Sequence, residues 1–173
     1  DWSSDVCSSD LQAGLKVVVA SVSGTTLTWN TPATVSSVGV NACISISTLS
    51  STAVLTVFDN SNSSNYPSAV VSTISGTTVT NGTAVTLESV GVSTSGFFMG
   101  VAAMSSTSGV AVWTRTGDFY GRAVGMTISG TTITVGTPIT YSAASTTSSS
   151  SGAMQPITFD GSSAAYSIYK VSS

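Results

Sequence analysis

Two polar segments hold the side chains best suited to binding chemistry. The first spans residues 115–121 and contains the charged residues Arg115 and Asp118. The aromatic residues Phe119 and Tyr120 follow Asp118 directly. An aromatic ring can stack on the apolar C–H face of a sugar while charged groups bond its hydroxyls. This segment is therefore a candidate carbohydrate site, and the competing interpretation is that Tyr120 packs beneath its own strand.

The second segment, residues 59–66, is rich in oxygen ligands. Asp59 and Asn62 are its candidate metal ligands, because calcium is bound by carboxylate and carbonyl oxygens. A single carboxylate predicts weak binding, and a solvated turn is the alternative. Tyr66 ends this segment as Tyr120 nearly ends the other, and we include it among the candidate ligand-binding residues.

The residue types needed for catalysis are scarce. The chain has no histidine, which removes Ser-His-Asp and Cys-His catalysis and the commonest zinc ligand. Propeller glycosidases need paired carboxylates, and sialidases need an arginine cluster with a tyrosine nucleophile. Arg115 and Arg122 are the only arginines, and the sialidase repeat Ser-x-Asp-x-Gly-x-Thr-Trp is absent. We therefore expect no enzymatic activity and no cofactor.

The composition is poor in charge and rich in hydroxyl groups. Charged residues make up 6 % of the chain, whereas roughly a quarter is usual for globular domains. The chain contains 36 Ser and 27 Thr, and Val, Ile and Thr favour strands. Lys and Arg do not cluster, so nucleic-acid binding is not expected. The longest apolar run, 97–103, is far below the ~20 residues that span a bilayer, and membrane insertion is not expected.

Residues 1–11 differ from everything that follows. They resemble, residue for residue, the translation of a common sequencing-library adapter, and we expect them to be a disordered artefact. Without them the net charge changes from −3 to zero. Cys7 is also lost, which leaves Cys43 as a small buried hydrophobe without a disulfide partner. A metagenomic fragment of a longer natural protein is the origin that fits these observations.

A repeat organises the rest of the chain. The sequence Ser-Gly-Thr-Thr recurs with its glycines at Gly24, Gly76 and Gly130, spaced 52 and 54 residues apart. A second element begins near 49, 104 and 159, at intervals of 55. The two elements keep the same phase, so they belong to one composite unit.

Each unit is predicted to form four antiparallel strands. In the middle unit they cover roughly 96–104, 109–115, 122–129 and 131–141. The glycine before each Thr-Thr supplies the positive φ that a tight hairpin turn requires. Gly82 or Gly136 inside the fourth strand indicates a bulge or bend.

Apolar residues in these strands predict that both sheet faces are covered. Near-continuous apolar runs surround Val54, Val57, Val110 and Val112. We assign five further large side chains to the core, namely Trp29, Trp113, Phe97, Phe98 and Met104.

Four strands in about 53 residues are close to the size of one β-propeller blade. We predict an all-β, incomplete propeller in one domain, 12–173. Its blades would be 12–40 (partial), 41–90, 91–142 and 143–173 (partial), with the Ser/Thr run 142–151 as an inter-blade loop. A β-sandwich array and a β-solenoid are the structural alternatives.

Two recurring sequences carry a resemblance to known proteins. Residues 69–78 join Ala-Val-Val to Ser-Gly-Thr-Thr, and residues 50–59 join Ser-Ser-Thr to Val-Leu-Thr-Val-Phe-Asp. In this style of repeat the chain resembles phage tail-fibre-like and bacterial surface β-propeller proteins. The resemblance implies display on a virion or extracellular cell surface. The Gly-Gly and Trp-Asp signatures of kelch and WD repeats are absent.

The functional expectation is a non-enzymatic, surface-displayed propeller fragment of a phage tail fibre or bacterial adhesin. Its partners would be a cell-surface glycan or receptor, and missing blades from the same longer chain or from an oligomer. Two alternatives are a structural spacer without a ligand and a fragment of a propeller glycosidase.

Overall fold

The described part of the chain is built from antiparallel strands. The computed structural model describes residues 14–35, 40–93, 99–143, 157–159, 161 and 164–167. The one helical segment in these residues is a single 3-10 turn, Ser61–Ser63, so no helix there is long enough to cross a bilayer. The prediction of an all-β antiparallel fold is confirmed. The described sheets do not close into a barrel or a ring.

Two complete sheets form the centre of the molecule. The first full sheet contains β5 (Val40–Ser50), β6 (Ala53–Asn60), β7 (Tyr66–Ser75), β8 (Thr78–Asn81) and β9 (Val85–Thr86). The second full sheet contains β10 (Met99–Ser105), β11 (Ser108–Thr114), β12 (Gly121–Ser129), β13 (Thr132–Val135) and β14 (Ile139–Ser142). In each sheet the first four strands form a meander, and the short fifth strand, β9 or β14, pairs with the third strand beside the fourth.

A partial unit lies at each end. The N-terminal half-unit contains β1 (Lys16–Val17), β2 (Ala20–Ser23), β3 (Thr26–Trp29) and β4 (Ala33–Thr34). In it β1 pairs with β4 and β2 pairs with β3, so it corresponds to the third and fourth strands of a full sheet. The C-terminal hairpin contains β15 (Ile157–Phe159) and β16 (Ala165–Ser167), which correspond to the first and second strands.

The predicted fourth strand is divided in two. In the second full sheet, Gly136 separates β13 from β14 and donates its N–H to the Gly125 carbonyl at 2.9 Å. Gly82 does the same in the first, bonding the Val71 carbonyl at 2.9 Å. A Cβ on Gly136 would lie 2.9 Å from that Gly125 oxygen, so only glycine fits this close approach. The bend predicted at these glycines is thus a break in the strand.

The repeated hairpin turns match the sequence prediction. Gly24, Gly76 and Gly130 all have φ of 59°. Each is the first of two residues between a paired Ser and Thr, for example Ser129 and Thr132. Glycine at this position with positive φ is typical of a type II′ turn, which matches the twist of paired strands.

The two full sheets pack face to face. We define the leading face of a sheet as the face toward the preceding unit, and the trailing face as the face toward the following unit. The trailing face of the first full sheet and the leading face of the second meet in one buried core. That core includes Leu55, Val57, Ala69 and Val71 from the first sheet and Met99, Val101, Ala111, Trp113, Val124, Met126, Ile128 and Ile133 from the second. Trp113 and Cys43 are buried there, as predicted.

Close contacts fix the spacing between these sheets. A Cβ on Gly109 would lie 2.7 Å from the Leu55 Cδ2 atom, so this glycine admits the leucine. The hydroxyls of Ser45 and Ser47 on β5 accept the N–H groups of Val101 and Ala103 at 3.2 Å and 2.9 Å. These bonds satisfy backbone donors on an edge strand, which explains serine within β5.

The N-terminal half-unit packs on the leading face of the first full sheet. Leu15 and Val35 contact the buried Phe58 and Val70 in a second, smaller core. The Asn81 side chain donates to the Thr34 carbonyl at 2.8 Å. The stacking direction is therefore the same at both junctions.

The core assignment of Trp29 is wrong. Its side chain is 64 % exposed, because it lies on the leading face of the N-terminal half-unit and no described sheet precedes it. Met104 is only partly buried, as are Val54 and Val110, whereas Val57 and Val112 are buried. Phe97, Phe98, residues 1–11 and most of the 142–151 run lie outside the described residues.

The Gly82→Ala substitution tests the stacking distance. The added Cβ would lie 2.7 Å from both Cβ and the carbonyl oxygen of Thr131 in the next sheet. We expect a loss of about 1–3 kcal/mol in the free energy of unfolding, measured by urea denaturation. Gly125→Ala is the matched control, since nothing lies within 4 Å of its Cβ. Equal stability of both variants would contradict the described spacing.

Candidate functional site

The structure brings the two candidate segments to the same side of the stack, at the ends of the strands. Each connects the second and third strands of a full sheet, β6 to β7 and β11 to β12. The connection between the sheets bridges them: the Val92 N–H bonds the Asn65 carbonyl, and the Ser93 N–H bonds the Thr114 carbonyl, both at 2.8 Å. Thr116 returns a 2.8 Å bond to the Gly91 carbonyl. The two segments therefore share a rigid backbone link.

The 115–121 loop is closed by its own charged residues. The Asp118 carboxylate accepts from Arg115 Nη2, from Arg115 Nε at 3.2 Å, and from the Tyr120 N–H at 3.0 Å. The Arg115 N–H bonds the Tyr120 carbonyl at 3.0 Å. Gly117 and Phe119 have φ of 93° and 58°, which makes the reversal tight. Arg115 and Asp118, predicted to lie together, form a two-pronged ion pair.

Glu88 extends this pair into a network. Its carboxylate accepts from Arg122 Nη2 at 2.6 Å and Nε at 3.3 Å, and Arg115 Nη1 lies 3.9 Å away. Arg122 also donates to the Thr140 hydroxyl. The side chains of Glu88 and Arg122 are only 12 % and 13 % exposed. Two cations and two carboxylates balance, so this ion network presents no net charge.

Sequence reasoning did not place Glu88 or Arg122 at this site. Glu88 lies 34 residues before Arg122, on the segment that follows β9. The scarcity of charge was the available signal. In a chain with so few ionic groups, each partly buried one needs a partner of opposite sign.

The candidate aromatic residues lie on the same side of the stack as these loops. Tyr66 and Tyr120 stand at or just before the start of the third strand in their sheets and are partly buried, as is Phe119. Tyr141 joins them unpredicted: its ring lies over Gly121, where a Cβ would be 2.5 Å from the ring. Glycine at 121 thus leaves room for an aromatic side chain beside the loop.

The two candidate metal ligands differ in burial, and their side chains have different surroundings. Asp59 is fully buried, and its Oδ1 accepts the Cys43 N–H at 2.9 Å. Asn62 is exposed in the 3-10 turn, where its N–H bonds the Asn60 side chain at 3.1 Å. Within the described ranges, no group of three His, Cys, Asp or Glu side chains is placed to hold a metal ion.

Two grooves lie away from these loops. One is lined by Trp29, Pro32 and Val79, at the junction of the N-terminal half-unit with the first full sheet. Another is lined by Met104, Val110 and other residues of the trailing face of the second full sheet. Neither groove includes a charged residue, so neither contains the ionic groups of the loops.

Glu88→Gln tests the ion network. The change leaves Arg122 mostly buried without a carboxylate partner, which should lower the free energy of unfolding by about 2 kcal/mol or more. Thermal and urea unfolding of the variant measure this loss. Lys16→Gln removes a charge from an exposed side chain and should change stability by less than about 0.5 kcal/mol. A Glu88→Gln protein as stable as the parent would contradict the network.

Comparison with known proteins adds no relative to this picture. The chain matches no protein-family model, no curated protein and no solved structure. Functional interpretation therefore depends on the two loops, their aromatic side chains and the ion network described above.

Proposed function

We propose that this protein is a non-enzymatic surface-display module that binds carbohydrate through the 59–66 and 115–121 loops. One observation carries the proposal. Among the described residues, all three non-glycine residues with left-handed backbone, Ser64, Asn65 and Phe119, lie in these loops. Such conformations cost of order 1–3 kcal/mol each and concentrate at binding sites, where the surrounding structure enforces them.

The loops are held in place before any ligand arrives. Asn60 caps the 3-10 turn, and residues 91–93 tie one loop to the other through backbone bonds. The ion network of Glu88, Arg115, Asp118 and Arg122 also restrains the 115–121 loop. A pre-ordered site loses less conformational entropy on binding, which favours recognition of small, flexible sugars.

The side chains of the two loops favour a neutral, hydroxylated ligand. Phe119 and Tyr120 offer partly exposed rings for stacking, and Tyr66 does so on the neighbouring loop. Arg115 and Asp118 are 28 % and 25 % exposed, so each retains capacity to bond a hydroxyl. Because the network is electrically balanced, a strongly anionic ligand has no excess positive charge to meet.

The finer architecture and setting belong to the same proposal. Meanders of four strands, stacked face to face in one direction, are the arrangement of propeller blades, although an array of packed sheets shares it. We assign the chain to an incomplete propeller in a phage tail fibre or bacterial adhesin, displayed on a virion or cell surface. The resemblance of its repeats to such proteins supports this setting.

The absence of enzymatic activity is also part of the proposal. The sequence lacks histidine, and each described carboxylate is already engaged. Glu88 and Asp118 bond arginines, while Asp59 bonds a backbone N–H in the interior. These groups hold the fold in place and do not line a reaction cleft.

A structural spacer is the second candidate function. The observation that favours it is that Arg115 and Asp118 bond each other. In that case the strained loops serve to join successive sheets, and no ligand is bound.

Glycan-array binding of the 173-residue chain, with and without Tyr120→Ala, separates these functions. We expect binding to a restricted set of glycans, weakened about tenfold by Tyr120→Ala because a stacking ring is lost. Trp29→Ala is the control. It removes an exposed aromatic ring that lies outside both loops, on the leading face of the N-terminal half-unit, and should leave binding unchanged. Circular dichroism confirms that both variants stay folded.

Two results would overturn the carbohydrate proposal. An absence of binding across a broad array would favour the spacer. Binding that survives Tyr120→Ala but is lost in Trp29→Ala would move the site to the leading face.

A further inference from the structure

In the part of the chain that the structure describes, the exposed large apolar side chains lie on the outward faces at the two ends of the stack. Six of the seven among the described residues lie on the leading faces of the N-terminal half-unit and the first full sheet. These are Val18, Val22, Leu27, Trp29, Ile44 and Ile46. The seventh, Ile139, lies on the trailing face of the second full sheet, since it pairs with Ala123. Apolar surface concentrated in this way marks an interaction surface.

The repeat shows what would cover these faces. Ile46 corresponds to Val101 in the next unit, yet it is 55 % exposed where Val101 is 4 % exposed. Val22 corresponds to Ile128, and the two are 71 % and 5 % exposed. Val101 and Ile128 are buried because a preceding sheet of the same repeat lies against them. Ile46 and Val22 have the same kind of side chain at the same position and lack that sheet.

The two partial units are complementary. The N-terminal half-unit has the third and fourth strands of a sheet, and among the described strands its β2 pairs on one side only, with β3. The C-terminal hairpin has the first and second strands, and within the described part of the chain β16 pairs with β15 alone. In the full sheets the second strand pairs along the third, as β6 pairs with β7 and β11 with β12. One hairpin and one half-unit therefore make one sheet.

We propose that the exposed faces bind a second copy of this chain, head to tail. The C-terminal hairpin of one copy joins the N-terminal half-unit of the other through β16 and the β1–β2 edge, which completes a four-stranded sheet. That composite sheet lies between the second full sheet of one copy and the first full sheet of the other. The stack then continues across the junction with the spacing seen within the chain.

This single docking covers the exposed apolar side chains of both described end faces. The hairpin of the first copy lies over Ile44 and Ile46 of the second, as β5 lies over β10 within the chain. The half-unit of the second copy presents Val22, Leu27 and Trp29 to the trailing face of the first. There an apolar groove is lined by Met104, Val110, Gly125 and their neighbours, and Ile139 lies on the same face.

Docking of this kind joins two different surfaces, so it repeats. A heterologous contact gives an open chain of copies, or a ring if the rotation closes. Like-charge repulsion does not oppose association, because Lys16 is the one charged residue on the described strands of the leading faces.

Sedimentation velocity of the 173-residue chain over a hundredfold range of concentration tests the proposal. The average mass should rise at least twofold with concentration, and the variant Ile44→Asp with Ile46→Asp should remain a monomer. Ser51→Asp with Ser106→Asp adds the same two charges at exposed hairpin turns and should associate like the parent. A parent chain that is monomeric throughout, or an Ile44→Asp, Ile46→Asp variant that still associates, would overturn it.

A disulfide trap tests the docking geometry even if that variant fails to fold. Within the chain Leu55 pairs with Val71 and Val110 pairs with Gly125, and their counterparts across the junction are Ala165 on β16 and Val19 beside β2. A chain carrying Ala165→Cys mixed with one carrying Val19→Cys, both with Cys7→Ser, should form a covalent heterodimer under mild oxidation. Each variant alone should remain monomeric on a non-reducing gel. Failure of the mixture to cross-link, or equal cross-linking of each variant alone, would contradict head-to-tail docking.

Discussion

Each four-stranded sheet of this protein has apolar side chains on both faces, and no such sheet can bury both by itself. Stacking supplies the missing cover. Leu55 and Val57 on one sheet are fully buried because the glycine and small residues of the next sheet come close to them. The register of the repeat, the glycines at the bends and the hydroxyls of β5 all serve this contact. What lies at the ends of the stack is set by where the stacking stops.

The loop site depends on the same contact. Residues 91–93 connect consecutive sheets, and their backbone bonds bring the 59–66 and 115–121 loops together. Glu88 follows the last strand of the first full sheet and forms an ion pair with Arg122, near the start of β12 in the second. With so few charges in the chain, a single balanced network orients most of the described ones. Tyr66 and Tyr120 therefore lie on the same side of the stack because the sheets stack and because charged residues pair between the sheets.

Local patterns in the sequence predicted the features that depend on local chemistry. The turns at Gly24, Gly76 and Gly130 follow from backbone sterics, and the meander follows from alternation and repeat phase. Trp29 was assigned to the core wrongly, because its burial depends on a neighbouring sheet and not on its own strand. The pairing of Glu88 with Arg122 was missed for a similar reason: it joins different units, and one sequence holds no signal of which distant charges meet.

A double-mutant cycle on Leu55 and Gly109 tests the stacking most directly. Leu55→Ala should lower the free energy of unfolding by about 2–5 kcal/mol, and Gly109→Ala by about 1–3 kcal/mol, since its Cβ would lie 2.7 Å from the leucine. In the double variant the new methyl group occupies space that the leucine vacated. The account predicts that the double variant is more stable than the sum of the single losses by about 1 kcal/mol or more. Losses that add to within about 0.5 kcal/mol would show that the two residues do not touch, and would contradict the face-to-face stack.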